Sequence, residues 1–209
     1  MRRYALATVT LGLLVGLGII AFQQRAQRTA VTRKDQTDSR LAQDRVSQAG
    51  PLKLPVKNPR IIVRKSARKL ELYSDSVLLK SYKVGLGLNP VADKKQEGDR
   101  CTPEGEFYIF TKNNKSAYYL SLGLSYPNAE DADRGLRDGL ITKAEYGAIH
   151  AAIRKKTMPP QNTKLGGQIY IHGHGAGSDW TWGCVAMENE DVREVYDAVS
   201  AGTPVSIVP

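Results

Sequence analysis

Cysteine and histidine are scarce in this 209-residue chain, which has two Cys, at 101 and 184, and three His, at 150, 172 and 174. Two thiols permit one disulfide at most. Outside the stretch from 172 to 184 no Cys/His cluster has metal-ligand spacing. Basic charge is also scarce where a nucleic acid would need it. The formal net charge is +9, yet residues 60–209 carry 20 basic and 18 acidic side chains, so most of the excess belongs to the first 59 residues. A nucleic-acid-binding domain concentrates basic charge on its folded part. No nucleic-acid partner is therefore expected.

Charge is absent altogether from Tyr4 to Phe22, nineteen residues rich in Leu, Val, Ile and Gly that follow Arg2 and Arg3. Roughly 20 apolar residues cross a ~30 Å hydrocarbon core. A cleavable signal peptide has a shorter apolar run and a small-x-small site, and Ile19-Ile20-Ala21-Phe22-Gln23 offers none. The expectation is an uncleaved transmembrane signal anchor over 4–22, with residues 1–3 as a short cytoplasmic end. Export after signal cleavage is the alternative. Arg25, Arg28, Arg33 and Lys34 lie just past the run, so the Lys/Arg asymmetry leaves the orientation open. Residues 23–59 lack aromatics, hold eight Lys or Arg against three Asp, and end in Pro51, Pro55 and Pro59. They read as a basic linker that lies near anionic headgroups or a polyanionic wall. As a coil it reaches roughly 35 Å. A short helix over 40–48 fits the spacing of Leu41, Arg45 and Val46.

From residue 60 onward the pattern is that of strands. Ile61-Ile62-Val63 is β-branched, Lys69 to Tyr73 alternates, and Val77 to Val84 follows a Ser74-Asp75 turn. Glu106 to Phe110 and Ala117 to Ser121 are two further strands. Between them and the preceding run, Thr102-Pro103-Glu104-Gly105 has the composition of a type I turn. Residues 129–156 change period and predict a helical insertion of two short helices parted near Gly139. Thr142 with Glu145 forms a capping-box signature there. Ile169-Tyr170-Ile171 is a short strand. Val192, Val195, Tyr196 and Val199 mark one face of a late helix that Gly202 stops, and Val205 to Val208 closes the chain as a strand. The fold class is mainly β, with its site on loops.

The chemistry concentrates in residues 168–189, QIYIHGHGAGSDWTWGCVAMEN. A strand runs into His172-Gly173, a glycine-rich loop follows, and Thr181-Trp182-Gly183-Cys184 comes after it. An imidazole and a thiol on either side of a flexible loop can fold back toward each other. Together they are the minimum apparatus of thiolate catalysis, with the imidazole taking the sulfur proton and delivering one to a leaving amine. If Cys184 is a nucleophile, a bond to Cys101 would disable it, so Cys101 is expected to be a free, buried, small residue.

Thr102-Pro103-Glu104-Gly105-Glu106-Phe107, Ile171-His172-Gly173 and Thr181-Trp182-Gly183-Cys184-Val185, in that order, resemble the L,D-transpeptidase catalytic domain, or YkuD, family over about residues 60–209. The resemblance implies a β-sandwich-like domain that works outside the cytoplasmic membrane on peptidoglycan stem peptides; no cofactor or metal is expected. By that resemblance Cys184 is the nucleophile and His172 the general acid/base. Thr181 holds the motif's hydroxyl position, and Gly183 with the Cys184 N–H lies at the oxyanion. The reaction would release D-alanine from a tetrapeptide stem, form a thioester at Cys184, and pass the acyl group to an amine, cross-linking or remodelling the wall. Transfer to water would make the protein a carboxypeptidase or amidase instead. A wall-binding module without catalysis is a third reading. The family pattern places arginine after Gly-Cys-Ile/Val, where this chain has Ala186, and the interval from His172 to Cys184 is shorter than in most members. Both traits resemble a subgroup that includes hydrolases releasing proteins from peptidoglycan, so the acceptor stays open.

Around this pair, His174, Trp180, Trp182 and Ser178 are possible cleft residues. His172-x-His174 with Cys184 also has the form of a three-ligand zinc site. Ser178 or Asp179 could orient His172 as a third group. His150 reads as a surface or satisfied core histidine. Tyr118, Tyr119 and Tyr126 read as core and strand-face residues.

Overall fold

A computed structural model describes residues 50–209. The expected anchor at 4–22, the helix at 40–48 and most of the linker lie outside the described residues. Among the described residues no helix is long and apolar enough to cross a membrane.

Three strands, β1 (Pro59–Arg64), β2 (Lys69–Ser74) and β3 (Val77–Lys83), form an antiparallel meander. Alternation decides its inner face. Ile61 lies opposite Leu72 and Val63 opposite Leu70, and all four are essentially without solvent contact. Each such side chain contributes about 1.5–3 kcal/mol by leaving water. The last strand, β8 (Pro204–Val208), runs parallel to β1 and sets Val205 and Ile207 against Ile61 and Val63. The long strand β4 (Gly105–Ser116) pairs with β8 through its first residues and with β5 (Tyr119–Leu124) through its later ones. Its register shifts between Ile109 and Thr111, an irregularity of the kind that bends a strand. Two short strands, β6 (Tyr170–His172) and β7 (Val185–Ala186), complete the order β3-β2-β1-β8-β4-β5-β6-β7.

This single sheet curls until its two ends meet. Gly85, just past β3, donates to the Ala186 carbonyl at 2.9 Å and accepts from the Ala186 N–H at 2.8 Å. No side chain is possible at Gly85, because a Cβ would lie 2.2 Å from the Ser178 carbonyl oxygen. The expectation of a mainly β domain holds, in the form of one curled sheet.

The helical insertion consists of α1 (Ala129–Arg137) and α2 (Lys143–Lys155), and it builds its own small core from Ala132, Ile141, Ile149 and Leu165. Asn128 with Asp131 and Thr142 with Glu145 close a capping box at each N-terminus. The late helix α3 (Asn189–Ala198) buries Val192, Val195 and Ala198 against the sheet. It has no basic residue in its last turn. Lys112 of β4 supplies that charge from outside, donating to the carbonyls of Tyr196 at 2.5 Å and Val199 at 2.8 Å, where a cation is favourable.

The expected type I turn at Thr102–Gly105 is absent: residues 102–104 are irregular and Gly105 opens β4. The reason is a buried lysine. Lys65, 1% exposed, donates to the carbonyls of Ala92 (2.8 Å) and Thr102 (3.0 Å) and to the Glu104 carboxylate (2.7 Å). The Thr102 hydroxyl also accepts from Gly87 N–H at 2.9 Å. A buried ammonium must be surrounded by acceptors, and this segment supplies two of them, the Thr102 carbonyl and the Glu104 carboxylate. The strand expected at 117–121 also begins later, because Ala117 and Tyr118 form the tip of the β4–β5 hairpin.

Candidate active site

The register of β6 and β7 brings the histidine and the cysteine together. The two strands are parallel, with Ile171 opposite Val185 and His172 opposite Ala186. Ile171 and Val185 point into the core. Side chains alternate along a strand, so His172 and Cys184, each one residue away from that core pair, face the other way. Both line one cleft of about 860 Å³.

His172 is 3% exposed. Its Nδ1 lies 2.7 Å from the Gly173 carbonyl oxygen. A carbonyl can only accept, so Nδ1 carries the proton and Nε2 of the neutral ring is left as the acceptor. Burial lowers the pKa of the ring below that of an ordinary imidazole. The Gly173 bond opposes the shift and the nearby His174 adds to it. Two aromatic contacts hold the ring. The Tyr118 centroid lies 4.6 Å from that of His172, and Trp180 meets it edge-on at 5.6 Å. Tyr118 and Trp180 are 6.0 Å apart.

The thiol has different surroundings. Cys184 Sγ accepts from Tyr170 N–H at 3.4 Å and donates to the Gln168 carbonyl at 3.5 Å. Burial pushes the thiol up to about 11, against the pull of the Tyr170 N–H and of the Lys94 charge. The resting pair is thus a neutral thiol beside a neutral imidazole. Among the described residues no hydrogen bond joins the two directly, which is common before substrate binds. Gln168 holds its carbonyl toward the sulfur from a left-handed backbone, φ 56, pinned by its N–H to Gln161 Oε1 at 2.6 Å. A non-glycine residue in this region stores strain, and such strain gathers at functional sites.

The loop before Cys184 is braced from within. The Thr181 hydroxyl accepts from Gly183 N–H at 3.1 Å and donates to the Cys184 carbonyl at 2.7 Å. The Gly183 N–H is therefore already committed. Gly183 has φ 126, and a Cβ there would lie 2.7 Å from the Cys101 carbonyl oxygen and 3.0 Å from Ile169 Cδ1. Close packing on the Cys101 backbone explains this glycine. Gly183→Ala is expected to destabilise the domain by about 1–3 kcal/mol and to loosen the thiol loop. Denaturant unfolding, together with hydrogen exchange over 181–186, measures both.

The remaining expected residues divide. Trp180 lines the cleft, and its Nε1 is satisfied by the Gly175 carbonyl at 3.1 Å. Trp182 lines it too, exposed, with the Arg100 guanidinium 4.8 Å from its ring centroid. Ser178 is exposed and is not among the residues of the cleft wall. His174 is exposed, at φ 78, and borders a different depression beside α3. Among the described residues no three His, Cys, Asp or Glu side chains converge on a metal position, so the His172-His174-Cys184 set is not assembled. Asp179 does not orient His172. Its carboxylate takes the Arg68 guanidinium at 2.8–3.1 Å and the Leu86 N–H at 2.9 Å, tying the far sheet edge to the cysteine loop. The orienting group is the Gly173 carbonyl. Both cysteines are free, and Cys101 is buried.

Tyr118, expected as a core or strand-face residue, lies in the β4–β5 turn, 45% exposed, and stands against His172. Gln168 and Lys94, which also line the cleft, gave no sequence signal beyond the Gly166-Gly167 break and a polar loop.

Comparison with known proteins agrees with the motif reading. The chain is 26% identical over 147 residues to the L,D-transpeptidase-like protein YafK of Escherichia coli (strain K12), covering 67% of this chain and 46% of that protein. It thus spans about half the length of the curated relatives it matches. Solved structures with a similar course include the helical cell shape determining protein Pgp2 from Campylobacter jejuni (22% identity, TM-score 0.46, 78% of this chain and 53% of that one). Another is an L,D-transpeptidase from Mycobacterium smegmatis (11% identity, TM-score 0.43, 73% and 59%). The family model of the L,D-transpeptidase catalytic domain, YkuD, matches residues 58–207, and the chain belongs to that family.

Proposed function

We propose that residues 60–209 catalyse cysteine-dependent acyl transfer on peptidoglycan stem peptides, with Cys184 as nucleophile and His172 as general acid/base. The observation that carries this reading is the β6/β7 register, which sets both side chains in one cleft wall and fixes the histidine tautomer through Gly173. His172 Nε2 takes the sulfur proton as the thiolate attacks the carbonyl before the terminal D-alanine. The tetrahedral oxyanion falls to the Cys184 N–H, since the Gly183 N–H is engaged by Thr181. On collapse the C–N bond breaks, the imidazolium returns its proton to the departing amine, and a thioester remains. An amine on a second stem then attacks with His172 again as base, restoring the thiol. No step calls for a cofactor. The uncharged run at 4–22 and the basic stretch at 23–59 support an extracytoplasmic site of action, anchored in the cytoplasmic membrane.

Incubation of the full chain with purified tetrapeptide muropeptides, followed by mass analysis, tests this. Cross-linked dimers together with free D-alanine are expected. D-alanine without dimers would make the enzyme a carboxypeptidase. Release of a wall-attached protein would make it an amidase. Wall binding with no chemistry would leave only a binding module.

A further inference from the structure

A buried cation in the cleft wall takes no part in the steps above. Lys94 is 2% exposed, and burying an ammonium needs a reason as well as partners. Its partners are in the loop that follows it. The Asp99 carboxylate accepts from Lys94 Nζ at 2.8 Å and from the backbone N–H groups of Lys95 (2.7 Å), Gln96 (2.9 Å) and Cys101 (3.1 Å). Nζ also donates to the Gln96 carbonyl at 3.0 Å and lies 5.9 Å from the centroid of the buried Tyr126 ring. Burial alone would raise the Asp99 pKa. The Gln96 N–H, the Lys94 ammonium and the other backbone donors outweigh it and hold Asp99 below the ordinary carboxylate range. The ion pair is therefore fixed, and it has a direction. Lys94 lines the cleft that holds Cys184, and Asp99 does not.

We propose that Lys94 is a positioning residue for the reaction at Cys184: Asp99 fixes its ammonium in the cleft wall so that the positive end of the pair faces the sulfur and stabilises the anion formed there. Other groups reach the cleft from other walls. Tyr170 and His172 come from β6, Lys112 and Lys115 from β4, and Glu97 from the same loop as Lys94. Lys112 is spent on the α3 carbonyls. Lys115 and Glu97 are exposed, so solvent screens them. His172 is held neutral by burial. The Tyr170 N–H opposes the burial penalty on the thiol, and among the charged groups of the cleft Lys94 is the one that adds to that opposition.

This deepens the reading of Cys184 as nucleophile, but its test measures thiol chemistry and needs no substrate. Iodoacetamide alkylation of Cys184 in the full chain is followed by peptide mass spectrometry from pH 6 to 10, with a thermal melt for each variant. Lys94→Met is expected to slow alkylation at pH 8 about tenfold and move the profile to higher pH. Lys94→Arg is expected to stay within about threefold of the parent. Asp99→Asn puts an NH2 where a carboxylate oxygen accepts from N–H donors, so the ammonium is no longer held and alkylation is expected to slow, with the profile again moved to higher pH. A structural brace would behave differently, because its loss would lower the rate without moving the profile along the pH axis. A Lys94→Met profile that is unchanged, or that falls in rate without moving to higher pH, overturns the proposal. Should Lys94→Met fail to fold, Asp99→Asn decides by the same criterion. Muropeptide turnover that survives a negative alkylation result sinks Lys94 only. A positive alkylation result without turnover sinks the functional reading only.

Discussion

Cys184→Ala is expected to remove D-alanine release and dimer formation altogether while leaving the fold in place. The loss is on the order of 10⁶-fold, the scale seen when the nucleophile of a covalent acyl-transfer enzyme is deleted. It is this large because the thioester has no substitute route. Cys101, the other thiol, is buried with its Sγ on the Asp99 carbonyl at 3.4 Å, and its own carbonyl sits under Gly183. Cys184→Ser is expected to fail nearly as badly, since a neutral hydroxyl is a far weaker nucleophile than a thiolate. The structural cost is small, because the sulfur makes only two long hydrogen bonds, at 3.4 and 3.5 Å, and fills no part of the main core. Turnover of tetrapeptide muropeptides alongside a thermal melt checks both halves. D-alanine release at the parent rate in a folded Cys184→Ala protein would remove the mechanism.

Local features of this chain were legible and distant ones were not. The capping box runs over the four residues from Thr142 to Glu145, so its signal is complete in the sequence. The strand alternation of Lys69–Tyr73 is visible because one face of β2 meets the core directly. The histidine and cysteine were visible because consecutive segments of the chain form the adjacent parallel strands β6 and β7. Thr102-Pro103-Glu104-Gly105 misled because a local turn preference lost to a buried ammonium, Lys65, 37 residues earlier. Asp179 misled for the same reason of distance, its guanidinium partner Arg68 being 111 residues away. Tyr118 carries the composition of a core tyrosine. Its place at the hairpin tip, against His172, depends on how β4 and β5 present that tip to β6. Family motifs add roles that periodicity cannot, but they do not reveal Lys94, whose contact with the cleft exists only once the loop closes on Asp99.

His172→Gln is expected to lower kcat by about 10²–10⁴-fold, a smaller loss than deleting the sulfur, because the thiol can still ionise into solvent at high pH. The Gln amide approximates the imidazole in size and can still donate to the Gly173 carbonyl, but it has no site that takes a proton. Alkylation of Cys184 at pH 10 is therefore expected to survive in this variant while turnover does not. The parent enzyme carries a second signature of the same residue. Burial depresses the His172 pKa below its unfolded value of about 6.5, so the base remains unprotonated, and turnover persists, to a lower pH than an ordinary histidine would allow. The sign for stability follows from proton counts. Between the folded and unfolded values the unfolded chain binds more protons, so stability rises with pH through that window. The contribution is fully present above about 6.5 and is lost as pH falls through the folded value. His172→Gln has no such proton to lose, and its melting temperature should fall less than the parent's between pH 7 and pH 5. A variant that retains kcat within tenfold would mean that His172 is packed beside the sulfur without serving it, and one that keeps the parent's full acid sensitivity would mean that another group carries the acid-linked loss of stability.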